Sequence, residues 1–167
     1  MEKLTNHSPE FNEYESKILN QYELDQKIRL QENPDIEEWK IIDADSHKLI
    51  TEYLEKFEYP TVAKYGRKFS FACWVLVQHC PEDTKLQNDY LRMMQDANEE
   101  ESNDNTALLT DRILMYEGKP QLYGTQFTSD ENGKTVLYKV ADPENLEKRR
   151  AALGLISHEE YLRNFNI

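Results

Sequence analysis

Residues 66–81 read GRKFSFACWVLVQHCP, and from Phe69 to Val77 only Ser70 interrupts the apolar side chains. Such a run fits a core strand or a buried helix, because periodicity alone does not separate the two. The adjoining segments have a helical period, and Gly66 and Pro81 bound the run. A helix that is apolar all round leaves no face for water. The stretch therefore reads as a central, buried helix around which the remaining elements must pack.

Upstream, Ser8 is placed to cap a helix with Pro9 in its first turn, and Phe11, Tyr14, Ile18, Tyr22 and Leu24 follow at helical spacing. A second helix is expected from Asn33 as cap and Pro34 as first residue. Ile36, Trp39, Ile42, Leu49, Tyr53 and Leu54 continue its stripe until Pro60. Downstream, Leu86, Tyr90, Met93, Met94 and Ala97 share one helical face, EEESND (99–104) reads as a solvated loop, and NTALLTDRILMYEGKP (105–120) is a helix ended by Gly118 and Pro120. The period then changes. Asn132-Gly133, flanked by Phe127, Thr128, Thr135, Val136 and Tyr138, predicts a hairpin. Asp142 with Pro143, and Ser157 with Glu160, announce two short closing helices. The fold class expected is mainly α: a single-domain helical bundle over residues 1–167, with a small β-hairpin near the C-terminal third.

Trp, Tyr and Phe contribute 11% of the 167 residues, which marks a folding chain despite its 31% charged content. The net charge of −12 argues against binding a phosphate backbone, so nucleic acid is excluded as a partner. Residues 1–60 carry 7 Lys/Arg and 15 Asp/Glu, hence −8, and residues 61–167 carry 13 and 17, hence −4. The acidic first part is either a solvated helical surface or a face for a basic protein partner. Cys73 and Cys80 have no CxxC spacing and fit a reduced, cytoplasmic setting. The start MEKLTNHSPEF has no apolar signal core, and no run approaches the roughly 18 apolar residues of a membrane span. Neither export nor a membrane partner is expected.

Polar residues at odds with their surroundings are the candidates for chemistry. Gln78 and His79 close the buried helix on a face shared with Trp74, Val75 and Leu76. Each must find a hydrogen-bond partner or face a cleft, where His79 would serve as general base or acid. Arg112 lies on the stripe of Leu108, Leu109, Met115 and Tyr116, so it is ion-paired, snorkelling outward, or holding an anion. Asp111 points about 100° away from it, and each should find its partner elsewhere. QLYGTQ (121–126), read as a strand, puts Gln121, Tyr123 and Thr125 on one face and Leu122, Gly124 and Gln126 on the other. Gly124 admits a close approach by backbone or ligand. Of Arg149 and Arg150, adjacent in sequence, one is expected to face inward.

WVLVQH, LLTDRIL, GKPQLYGTQ and RRAALGL occur in that order, with YPTVAKYG before them and GLISHEEYL after. In this the chain resembles a widespread bacterial domain family of unknown function whose recurring core is a QH, DR, QLYGTQ and RR series. The resemblance covers the core at 34–163 and leaves 1–33 as an acidic N-terminal helix. It implies that Gln78, His79, Asp111, Arg112, Gln121, Tyr123, Gly124, Thr125, Gln126, Arg149 and Arg150 are the family's polar positions, and it supplies no reaction. Tyr59 departs from the tryptophan the family often shows there.

Three readings follow. In the first, the four segments build one concave site for an anionic or amide-bearing small molecule or peptide. His79 and Tyr123 are its catalytic groups; Gln78, Asp111, Arg112, Gln121, Gly124, Thr125, Gln126, Arg149 and Arg150 bind the ligand. No nucleophile is evident, no HExxH or other metal-ligand spacing occurs, and no cofactor is called for. In the second, the chain is an acidic interaction module, such as an immunity or regulatory factor. In the third, the polar set is a buried network that fixes the hairpin to the helices.

Overall fold

The computed structural model describes residues 8–165. Helices take up 66% of the chain, with one two-stranded antiparallel hairpin in the C-terminal third, so the molecule is mainly α as the periodicity predicts. It divides into two compact units, residues 1–90 and 91–167, with the division inside a helix, α5 (Thr84–Ala97).

In the first unit, α1 (Pro9–Arg29) starts where Ser8 Oγ accepts from the Phe11 amide at 3.1 Å, as expected. α2 (Ile36–Lys56) begins two residues later than Pro34 suggests. The Asp35 carboxylate accepts from the amides of Glu37 and Glu38 at 2.8 and 3.2 Å. The carboxylate satisfies the orphan amides, as an asparagine oxygen also could, and its charge additionally complements the helix dipole. The single turn α3 (Val62–Tyr65) leads through Gly66 into α4 (Arg67–Gln78).

The deciding stretch is a helix. Ala72 to Gln78 are all buried, while Phe71 stays 38% exposed. α4 packs against α1, α2 and α3, and α1 against α2. Ile18, Ile50, Tyr53, Phe69, Cys73 and Leu76 form the core between them. Each such large apolar side chain contributes about 1.5–3 kcal/mol through burial. Phe11 meets the rings of Tyr53, Phe57, Tyr65 and Phe69 at centroid distances of 4.9–6.4 Å. Two apolar assignments move: Leu24 and Ile36 are exposed. The buried line of α1 instead runs Phe11, Tyr14, Ile18, Asp25, Ile28, with a carboxylate in an apolar register.

In the second unit, EEESND is not a plain loop. Glu100–Ser102 form one 3-10 turn, and α6 (Asn103–Tyr116) follows directly. β1 (Phe127–Ser129) and β2 (Thr135–Leu137) pair with Phe127 opposite Leu137 and Ser129 opposite Thr135. The Asn-Gly turn sits between them. Asp130 Oδ1 braces it by accepting from the amides of Asn132 and Lys134 at 2.8 and 2.9 Å. Asp142 caps nothing through its side chain; it adopts a left-handed φ of 41°, and a 3-10 turn at Pro143–Asn145 precedes α7 (Leu146–Ala152). Ser157 Oγ does cap α8 (His158–Arg163), accepting from the Glu160 amide at 3.2 Å. Among the described residues no helix is long and apolar enough to cross a membrane.

Candidate functional site

Both units carry polar clusters, and the expected residues fall into both. In the first unit His79 ends α4, where the chain leaves the helix. Its Nδ1 lies 2.9 Å from each oxygen of Asp25, the carboxylate on the buried line of α1. Asp25 is fully buried, whereas the His79 side chain keeps 13% of its surface exposed. An ionised carboxylate only accepts, so Nδ1 donates to Asp25 and Nε2 is the ring nitrogen not engaged with it.

Asp25 is held in turn. It accepts from Arg29 Nε at 2.9 Å and Gln26 Nε2 at 2.8 Å. Arg29 Nη2 also donates to Asp43 of α2 at 2.5 Å, the Trp39 indole donates to Asp43 at 3.0 Å, and the guanidinium stacks over the Trp39 ring. Burial alone would raise the Asp25 carboxyl, but the hydrogen bond and charge of His79, the charge of Arg29 and the Gln26 amide together hold it below the usual range. For Asp43 burial prevails over the pull of Arg29, and its carboxyl is raised.

His79 and Asp43 line an open cleft of about 640 Å³, together with Lys40, His47, Cys80, Glu82 and Asp83. His47 repeats the arrangement: its Nε2 lies 2.8 Å from Asp83 Oδ2. The other oxygen, Asp83 Oδ1, caps α5 by accepting from the Leu86 amide at 2.8 Å. That amide and His47 hold the Asp83 carboxyl below its ordinary value. Cys80 supplies no nucleophile. Burial, with the charges of Asp43, Asp83 and Asp25, pushes its thiol up to about 12, and its Sγ donates to Leu76 O at 3.1 Å. Gln78 is buried, and its carbonyl accepts from Gln87 Nε2 at 3.2 Å.

In the second unit the DR, QLYGTQ and RR segments share one centre, and it is Asp111. Its buried carboxylate accepts from the amides of Leu122 at 2.7 Å, Tyr123 at 3.0 Å and Thr125 at 3.0 Å, and from Thr125 Oγ1 at 2.9 Å. QLYGTQ is therefore no strand: only Gln121 bridges, to Val140, and residues 122–124 bend around the carboxylate. A strand would direct successive amides to opposite sides, so they could not converge on one anion.

The remaining motif side chains hold this loop from outside. Gln121, fully buried, donates through Nε2 to Gln126 O at 3.0 Å and Tyr138 O at 2.8 Å, and accepts from the Gln126 amide at 2.8 Å. Gln126 Nε2 reaches Leu108 O at 3.4 Å and Thr125 Oγ1 at 3.1 Å. Both arginines turn inward, where one was expected. Arg149 Nε donates to Leu122 O at 2.8 Å and its Nη1 to Asp142 O at 3.1 Å. Arg150, 2% exposed, donates to Ile156 O at 2.9 Å and Tyr123 O at 2.5 Å, and lies 5.0 Å from the Tyr161 ring centroid. Planar guanidinium groups with several fixed donors suit this bridging of carbonyls.

His158 and Tyr161 of α8 complete the cage, donating to Gly124 O at 3.1 Å and Thr125 O at 3.2 Å. Two expected site groups stand apart from the cage bonds. The Tyr123 side chain is half-buried, and burial and the Asp111 charge raise its phenol. Arg112 is half-buried, with its Nε buried and unpartnered.

The sequence reading passed over Asp25, His47, Asp83, His158 and Tyr161. For Asp25 the signal was present: it stands seven residues after Ile18 and three before Ile28. The others are close only through tertiary structure. Among the described residues, no group of three or more His, Cys, Asp and Glu is placed to hold a metal ion.

A family model matches residues 12–166 and so runs through both units. The chain belongs to the family of unknown function DUF6624. The DUF6624 match begins inside α1, so that helix, with Asp25, lies within the family region rather than ahead of it. Among curated proteins and solved structures nothing matches.

Proposed function

We propose that this DUF6624 chain binds a small polar molecule in the cleft of its first unit and uses His79 there as a proton-transfer group. The observation that carries the reading is the Asp25–His79 pair: a fully buried carboxylate fixes Nδ1 while the ring itself lines the cleft. Such pairing fixes tautomer and ring direction and stabilises the imidazolium formed when Nε2 takes a proton. Asp25 is then a positioning residue. Ligands of the anionic or amide-bearing kind anticipated from the sequence are the first to screen. The Asp111 cage supports the scaffold reading for its own members, whose donors are spent on the loop. Within the second unit, Tyr123 through its hydroxyl and Arg112 through its unpartnered Nε stand outside that cage.

The test is a thermal-shift screen of small carboxylates, phosphates, amides, esters and amines on wild type, His79→Gln and Asp25→Asn. A ligand at 100 times its Kd stabilises by about 2.7 kcal/mol. Compounds that shift wild type should lose the effect in His79→Gln, and Asp25→Asn should weaken binding by about tenfold. Shifts of equal size in all three proteins overturn the reading.

A further inference from the structure

We infer that Asp43 is the carboxylate through which this cleft contacts its ligand, and that it selects a molecule presenting an N–H or O–H donor. The inference rests on the reading that the cleft binds a small polar molecule, and it adds the residue that recognises the ligand and the chemical class recognised.

Asp43 is an acceptor held at a fixed place. Its Oδ1 accepts from Arg29 Nη2 at 2.5 Å and its Oδ2 from the Trp39 indole at 3.0 Å. Both donors belong to rigid planar groups, and the guanidinium carbon lies 4.8 Å from the Trp39 ring centroid, so each steadies the other. Arg29 is anchored a second time, through Nε to the buried Asp25 at 2.9 Å. An N–H donor on each oxygen holds Asp43 as a carboxylate, which only accepts. Such a group has about four lone-pair sites, more than two donors fill. Its side chain keeps 32% of its surface exposed, and the residue lines the cleft, so a ligand can reach it. An acceptor fixed in advance needs little further ordering when a ligand arrives.

The other side chains of the wall point the same way. Asp83 has one oxygen on His47 and the other on the Leu86 amide, and Cys80 Sγ is turned to Leu76 O. Lys40 Nζ is paired with Glu37 at 2.8 Å. Beyond the imidazoles, the described lining side chains thus offer a ligand acceptors: Asp43 in a fixed direction and the exposed Glu82. This holds whichever protons the two imidazoles carry, and it needs no net charge, because the Arg29 cation is already engaged with Asp25 and Asp43. A ligand without donors that covers Asp43 strips water from the carboxylate and leaves it without a partner.

The experiment titrates matched pairs, benzamide against N,N-dimethylbenzamide and catechol against 1,2-dimethoxybenzene, into wild type, Asp43→Ala and His79→Gln. The reporter in wild type is the NMR signal of the Trp39 indole N–H that donates to Asp43; the chain has two tryptophans, and Trp39→Phe assigns it. Affinities in the variants are read from the backbone amides of Cys80 and Asp83. In wild type the donor-bearing member of at least one pair should move the indole signal and bind about tenfold more tightly than its methylated partner. Asp43→Ala should bring that ratio to within about twofold, whereas damage to the fold alone would weaken both members alike and keep it. An indole signal that none of the compounds moves, methylated members that bind as tightly in wild type, or a ratio preserved in Asp43→Ala overturns the inference. His79→Gln decides the underlying reading separately: it should weaken both members and keep their ratio, and unchanged binding of both counts against His79 while leaving Asp43 in place.

Discussion

Gly124 has room for a hydrogen and nothing larger. Its φ is +70°, and a Cβ there would come within 2.5 Å of His158 Nε2. Gly124→Ala should therefore cost about 1–3 kcal/mol from the left-handed backbone alone, with further loss if His158 gives way, read from urea midpoints. Glycine at this position was legible as a point of close approach; that the visitor is a ring of α8 was not, because His158 lies 34 residues on. Asp25 yields a pH prediction. Its folded carboxyl holds a proton less tightly than the ordinary value of 3.8, so its stabilisation is complete above that value and lost as the pH falls through the lower folded one. Wild type should thus begin to lose its stability advantage over Asp25→Asn as the pH falls below about 4. An advantage that persists unchanged to pH 2 contradicts the assigned direction.

At the level of elements, α4 was readable because the adjoining helical patterns and the Gly66 and Pro81 boundaries decided an apolar run that a core strand would also fit, and the hairpin because Asn-Gly between β-formers has few other uses. QLYGTQ was misread for a physical reason. Alternation of side chains describes a strand only if the amides pair with another strand, and here they turn to a single carboxylate on α6. Asp111→Asn keeps the volume but replaces one acceptor oxygen with a donor facing other donors. It should destabilise by about 3 kcal/mol, whereas Arg112→Ala, which removes a buried Nε that has no partner, should cost under about 1 kcal/mol; chemical denaturation ranks the two. The reverse order would remove Asp111 from the centre of the cage.

For the whole molecule, composition was enough to predict a folded chain and periodicity a mainly helical one, but neither showed its division into two units. Helix α5 runs through that division without interruption. If the chain is the single cooperative domain its length suggests, Ile50→Ala in the first unit and Gly124→Ala in the second should lower one common calorimetric transition, Ile50→Ala by about 2–5 kcal/mol. Two transitions, each answering to one variant, would divide it. The Asp111 cage has a consequence for deuterium uptake. The amides of Leu122, Tyr123 and Thr125 lie in a bend with neither helix nor sheet around them, where fast exchange is the rule. Anchored to one buried anion, they should resist solvent as long as the core helices do. They should also surrender together rather than one after another, since a single detachment of the carboxylate opens all three.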